Sequence, residues 1–133
     1  VEPRGGDLAA NIRLADFGSS CRVEADDAGV VQLGSGTAAY SAPEVLAGAR
    51  AGAKADVWSL GVLMFILLRG FHPFDPFNDA DDECVQQRVC QGELPLQDFT
   101  WEGVSEPARD LLKAMLDPEP SRRPTAVEVL RHA

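Results

Sequence analysis

Asp56-Val57-Trp58-Ser59-Leu60-Gly61-Val62-Leu63-Met64-Phe65-Ile66-Leu67-Leu68 is the most apolar stretch of the chain. From Val57 it runs for about a dozen residues to Arg69-Gly70, well short of the ~18 apolar residues that a bilayer-spanning helix needs. It reads as a buried helix. Asp56 suits the helix start, because a carboxylate can cap free backbone N–H groups, and Gly70 supplies the stop. A helix that is apolar on every side has to be covered on every side, so this one is expected at the centre of the fold.

Downstream of it, Pro73 and Pro76 keep the chain irregular. Asp81, Asp82 and Glu83 then open a helix that runs to about Gln91 and is closed by Gly92. Ser105-Glu106-Pro107 starts another, with Ala108, Leu111, Leu112 and Met115 at helical spacing as its inward stripe. A last helix is predicted from about Thr125, with Ala126, Val129 and Leu130 facing inward. Upstream, Pro43 fits the first turn of a short helix through Glu44, Val45 and Leu46, and Gly48 and Gly52 break the chain after it. Ser19 to Gly36 loses all period and reads as a long surface loop. Gly5-Gly6-Asp7 is turn chemistry leading into a short strand over Ile12-Arg13-Leu14-Ala15. The expected fold is mainly α, about five helices around one central helix, with a short β segment at the N-terminus.

The 133 residues suffice for one small domain, and 45% hydrophobic with 25% charged residues is an ordinary globular balance. Twelve Lys and Arg against 21 Asp and Glu give a net charge of -9, which leaves no basic footprint for nucleic acid or an anionic membrane. Cys21, Cys84 and Cys90 are odd in number and form no Cys-x-x-Cys pair, so a disulfide framework or zinc site is not indicated and a reducing, intracellular location is expected. The start, Val1-Glu2-Pro3-Arg4, has neither a signal-like apolar stretch nor a Met, and the chain reads as a piece of something longer. The acidic run Asp79, Asp81, Asp82 and Glu83 has two readings, a lure for basic substrate or the usual preference of carboxylates for a helix N-terminus; the second is the simpler.

Four separated motifs in order resemble the signature set of the eukaryotic protein kinase family: Asp16-Phe17-Gly18; Gly36-Thr37 with Tyr40-Ser41-Ala42-Pro43-Glu44; Asp56-Val57-Trp58-Ser59-Leu60-Gly61; and Arg123-Pro124-Thr125. The resemblance covers nearly the whole chain and implies the activation segment and helical C-terminal lobe of a kinase domain over residues 1–133. It implies ATP and Mg²⁺ as cofactors and protein substrates and regulatory proteins as partners. By the same resemblance Asp16 is the metal ligand, since a hard cation on phosphate wants carboxylate oxygen; standing alone, the tripeptide would be an ordinary turn. Phe17 is expected to pack inward, and Gly18 to give the segment backbone freedom. Gly36, Thr37 and Tyr40 resemble the segment that positions the acceptor hydroxyl in serine/threonine kinases. Glu44 and Arg123 match residues that pair in the family, a structural role, against the alternative of a solvated helix charge for Glu44. Asp56 matches the residue that braces the catalytic loop, with plain N-capping as the alternative. Trp101, Val104-Ser105, Ala108-Arg109-Asp110-Leu111-Leu112 and Met115-Leu116 look most like the calcium/calmodulin-dependent group.

The chain departs from the family pattern in lacking a Gly-rich loop, a strand Lys, its partner Glu and a His-Arg-Asp loop with its Asn. These supply nucleotide clamping, the catalytic base and the second metal ligand, so the chain alone is expected neither to bind ATP tightly nor to catalyse. A pseudokinase or truncated binding module is the rival reading. Leu33 stands where many relatives carry a phosphorylated Thr, leaving Ser35 and Thr37 as the nearest candidate phosphosites. A central helix missing a neighbour that contributed ~400 Å² of apolar contact would forfeit roughly 10 kcal/mol, so an aggregation-prone chain is expected.

Overall fold

The computed structural model describes residues 13–20, 38–92, 94 and 101–132. The turn at Gly5-Gly6-Asp7, Ile12, and the long loop beyond Ser20 lie outside the described residues. Within them the fold is helical: α1 (Pro43–Leu46), α2 (Ala53–Arg69), α3 (Asp82–Gln91), α4 (Glu106–Met115) and α5 (Ala126–Leu130), with 3₁₀ turns at Phe17–Ser19, Ala38–Tyr40 and Pro120–Arg122. Arg13, Leu14 and Ala15 pair with no strand among the described residues, where the alternating pattern had suggested one. Alternation supplies a face but not the partner that a strand needs for its N–H and C=O groups.

The start of α2 differs from expectation. Gly52 is the N-cap, without a side-chain bond, and Asp56 lies inside the first turn. Ala53, Lys54 and Ala55 are good helix formers, so the helix extends back until glycine stops it. Asp56 keeps its favourable place near the positive end of the helix without capping it. The other end is as read: Gly70 takes φ 78° and donates its N–H to Ile66 O at 2.7 Å.

Val57, Trp58, Gly61, Val62 and Phe65 of α2 are buried. Trp58 and Val62 join Ala42, Val45, Phe74, Val85, Val89 and Leu116 in one apolar cluster, with the Trp58 and Phe74 rings stacked 5.6 Å apart. Phe65 joins Trp101, Val104 and Leu112 in a second, its ring edge-on to Trp101. α4 crosses α2 closely at Gly61, where an added Cβ would lie 3.1 Å from Met115 and Leu116. The opposite face of α2 is bare: Leu60, Leu63 and Leu67 are exposed, Leu67 to 77%. Full coverage of the helix therefore does not hold among the described residues.

Asp81 caps α3 by accepting the Cys84 N–H at 2.8 Å, and Gly92 closes it at φ 66°. Pro118 leans so closely on Gly92 that a Cβ there would sit 2.2 Å from the proline ring. Thr125 and Glu128 form a reciprocal capping box at the start of α5. The inward face expected of α5 is not found: Ala126 is exposed, Leu130 is 86% exposed, and Val129 is half-buried. Helical spacing shows which residues share a face, whereas burial depends on what lies opposite.

Candidate functional site

Asp16 holds a left-handed conformation, φ 61° and ψ 72°, which costs a non-glycine residue energy and is tolerated best by Asp and Asn. The turn over Phe17–Ser19 follows directly, closed by the Ser20 N–H and hydroxyl, which donate to Phe17 O at 3.1 and 2.7 Å. Asp16 Oδ1 accepts a long 3.4 Å bond from the Gly18 N–H, and its Oδ2 makes no hydrogen bond among the described residues. The carboxylate is exposed. It fits one oxygen ligand of a hard divalent cation. No group of three acidic, His or Cys side chains able to hold a metal occurs among the described residues. Phosphate oxygens and water would complete such a shell, as Mg²⁺ commonly requires.

One expectation for this tripeptide is corrected. Phe17 is 67% exposed rather than packed inward, because no apolar surface faces it among the described residues. The unusual torsion sits on Asp16, and Gly18 is absent from the positive-φ residues. A Cβ at Gly18 would approach Asp16 Oδ1 to 3.3 Å.

Ser35, Gly36 and Thr37, like Leu33, lie outside the described residues. Tyr40 ends the turn that follows them, and two side chains hold that turn. Ser59 of α2 donates its hydroxyl to Tyr40 O at 2.8 Å, with Ala55 O as a weaker acceptor at 3.2 Å. His72 Nε2 lies 2.9 Å from Ala39 O, while its Nδ1 accepts the Phe74 N–H at 3.2 Å. An acceptor at Nδ1 leaves the proton on Nε2, so both nitrogens are satisfied in the neutral ring. Burial lowers the His72 pKa below the ordinary histidine value, against the raising effects of the Ala39 bond and the Asp75 charge. The Tyr40 ring meets the His72 ring edge-on, 6.3 Å between centroids. Sequence reasoning missed His72, which belongs to none of the motifs; its one sequence-level signal is an isolated His beside Pro73 in an irregular stretch.

Glu44 and Arg123 are brought together by two parallel bonds of 2.7 Å, with side-chain exposures of 9% and 0%. Arg123 also donates from Nε to Asp117 O, and from its terminal nitrogens to Lys54 O and Pro118 O. All five guanidinium N–H groups are thus occupied. Its flat face lies 5.0 Å over the Trp58 ring, and Lys54 Nζ donates to Arg123 O. Asp56 is exposed, and its carboxylate makes no hydrogen bond among the described residues.

Residues 6–133 match the family described as Protein kinase domain. A calcium and calcium/calmodulin-dependent serine/threonine-protein kinase of Oryza sativa subsp. japonica is 39% identical over 126 residues, 95% of this chain and 23% of that protein. Ribosomal protein S6 kinase alpha-2 of Mus musculus is 38% identical over 122 residues, 92% of this chain and 16% of that protein. Among solved structures, the twitchin kinase region from C. elegans superposes with a TM-score of 0.69 at 34% identity, covering 77% of this chain and 18% of that one. The chain thus spans under a quarter of the length of these relatives. Motifs, helical architecture and likeness agree: the chain belongs to the protein kinase family, and its described residues form a mainly helical part of that fold, consistent with the C-terminal lobe.

Proposed function

We propose that residues 1–133 are the activation segment and helical lobe of a serine/threonine kinase, which transfers the γ-phosphoryl group of ATP to Ser or Thr hydroxyls of protein substrates. The observation that carries this reading is the exposed Asp16 carboxylate, with Oδ2 uncommitted, at the family's metal-ligand position. A retained metal carboxylate favours an enzyme over a docking module, since it is a residue that a non-catalytic relative can lose without unfolding. Mg²⁺ held there would neutralise charge on the nucleotide phosphates. Thr37 and Tyr40 would position the acceptor, whose oxygen bonds to the γ-phosphorus as ADP leaves. The hydroxyl proton then passes to a base that these 133 residues do not supply. Glu44, Arg123 and Asp56 act structurally in this reading, and Ser35 and Thr37 are the hydroxyls open to regulatory phosphorylation. No described helix is long and apolar enough to cross a membrane, and an intracellular setting is part of the proposal.

Phosphotransfer from ATP with Mg²⁺ is the test, measured on the 133-residue chain and on the intact native polypeptide that carries it. We expect no turnover from the chain alone, and turnover from the intact polypeptide that Asp16→Asn abolishes. Turnover that survives Asp16→Asn, or none in the intact polypeptide, would instead favour a non-catalytic lobe that docks partners.

A further inference from the structure

The turn Ala38–Tyr40 rests on side chains far along the sequence, one of them titratable. His72 reaches it across 33 residues, donating from Nε2 to Ala39 O and touching the Tyr40 ring. The same ring is fixed from behind by the Phe74 N–H at Nδ1. We infer that His72, in its neutral Nε2–H form, is a positioning residue for the acceptor-binding turn Ala38–Tyr40, and that its protonation releases the turn and weakens acceptor binding. The inference rests on the kinase reading for what the turn does, but the tether itself does not.

A second proton would sit on Nδ1, where it would point at the Phe74 N–H. Two donors cannot share that line, so the protonated ring has to leave its seat, and the Ala39 bond goes with it. Among the described residues, the charged and titratable groups around the ring are few. Asp75, on the same irregular stretch, favours the protonated ring, yet its Oδ1 is engaged by the Asp79 and Ala80 N–H groups. From the turn itself comes the Tyr40 phenol, and from α3 comes Arg88, which donates to Phe74 O at 2.9 Å. Burial resists protonation and outweighs the favourable pull of the Ala39 bond and the Asp75 charge.

Two substitutions separate the nitrogens. The amide of Gln extends about as far as Nε2 and offers an N–H to Ala39 O, whereas that of Asn matches Nδ1 and leaves Ala39 unbonded. The probe is a degenerate pool of Ser/Thr peptides, used with the intact native polypeptide between pH 5.5 and 8. For the wild type the apparent peptide KM should stay level above about pH 6.5 and rise only below it, because burial holds His72 neutral there, with the KM for ATP unchanged. His72→Asn should raise the peptide KM about five-fold at pH 8, the size of one lost hydrogen bond. His72→Gln should keep the wild-type value and be flat with pH. A flat wild-type profile, or equal losses in Asn and Gln variants, would overturn the inference. Should the polypeptide transfer no phosphate, the kinase reading fails, and the Kd of the same pool by fluorescence anisotropy decides on His72 by the same pattern. Nitrogen chemical shifts of the His72 ring supply an independent check: an Nδ1–H neutral tautomer would overturn the tether in either case.

Discussion

Arg123 grips Glu44 through two parallel 2.7 Å bonds while its remaining N–H groups hold carbonyls of Lys54, Asp117 and Pro118. The carboxylate is one of several partners, and the only charged one among the described residues. Glu44→Ala would strand a fully buried guanidinium charge, and a loss of about 3–5 kcal/mol is expected. Glu44→Gln keeps an acceptor and should lose less, about 1–3 kcal/mol as for a hydrogen bond to a charged group. Urea denaturation of the two variants reads the order, and a Gln variant less stable than the Ala variant would contradict it.

Gly70 and Gly92 both end helices in the left-handed region, and only Gly92 has a neighbour pressed against it. Gly70→Ala should cost about 1–2 kcal/mol from torsional strain alone. Gly92→Ala should cost roughly 1–3 kcal/mol more, because Pro118 has to move. Equal losses in denaturation midpoints would mean that the contact is soft.

Among the described residues, two groups have shifted titrations that make stability depend on pH. His72 has a lowered folded pKa, so the unfolded chain binds more protons and stability falls as pH drops below about 6.5, levelling off only below the folded value. Glu128 is also lowered, by its bonds to the Thr125 N–H and hydroxyl, so its contribution is present above about pH 4.3 and fades as pH falls through the folded value. His72→Gln should remove the upper slope of a thermal-midpoint profile from pH 2 to 8 and leave the lower one.

The bare leucines of α2 invite self-association. In the 133-residue chain, Leu67→Gln should slow aggregation measured by light scattering while changing stability by no more than about 0.5 kcal/mol. Val62→Ala, at a fully buried position of the same helix, should cost about 1–3 kcal/mol, from lost burial and the cavity left behind, without slowing aggregation. If Leu67→Gln destabilises as much as Val62→Ala, Leu67 is packed in solution.

Helix ends were legible wherever a single residue carries the signal: Pro43, Asp81, Gly70 and Gly92 act through their own torsions and caps. The beginning of α2 was not, because Asp56 is a good capping residue placed after three helix formers that have no reason to stop. Phe17 and Leu130 were expected inside and are exposed, since apolar character states a preference and burial needs a surface opposite. The pairing of Glu44 with Arg123, 79 residues apart, entered through family resemblance; no local pattern connects them. His72 escaped notice for a related reason. Its partner is a backbone carbonyl 33 residues away, and a carbonyl leaves no mark in a sequence.

The Arg123 network also bears on motion. Glu44 is bolted at the first turn of α1 and Ala42 is buried just before it, while among the described residues two side-chain bonds reach the carbonyls of the turn ending at Tyr40. Displacing that turn would leave α1 standing, and the bend would fall on the backbone torsions of Tyr40 and Ser41.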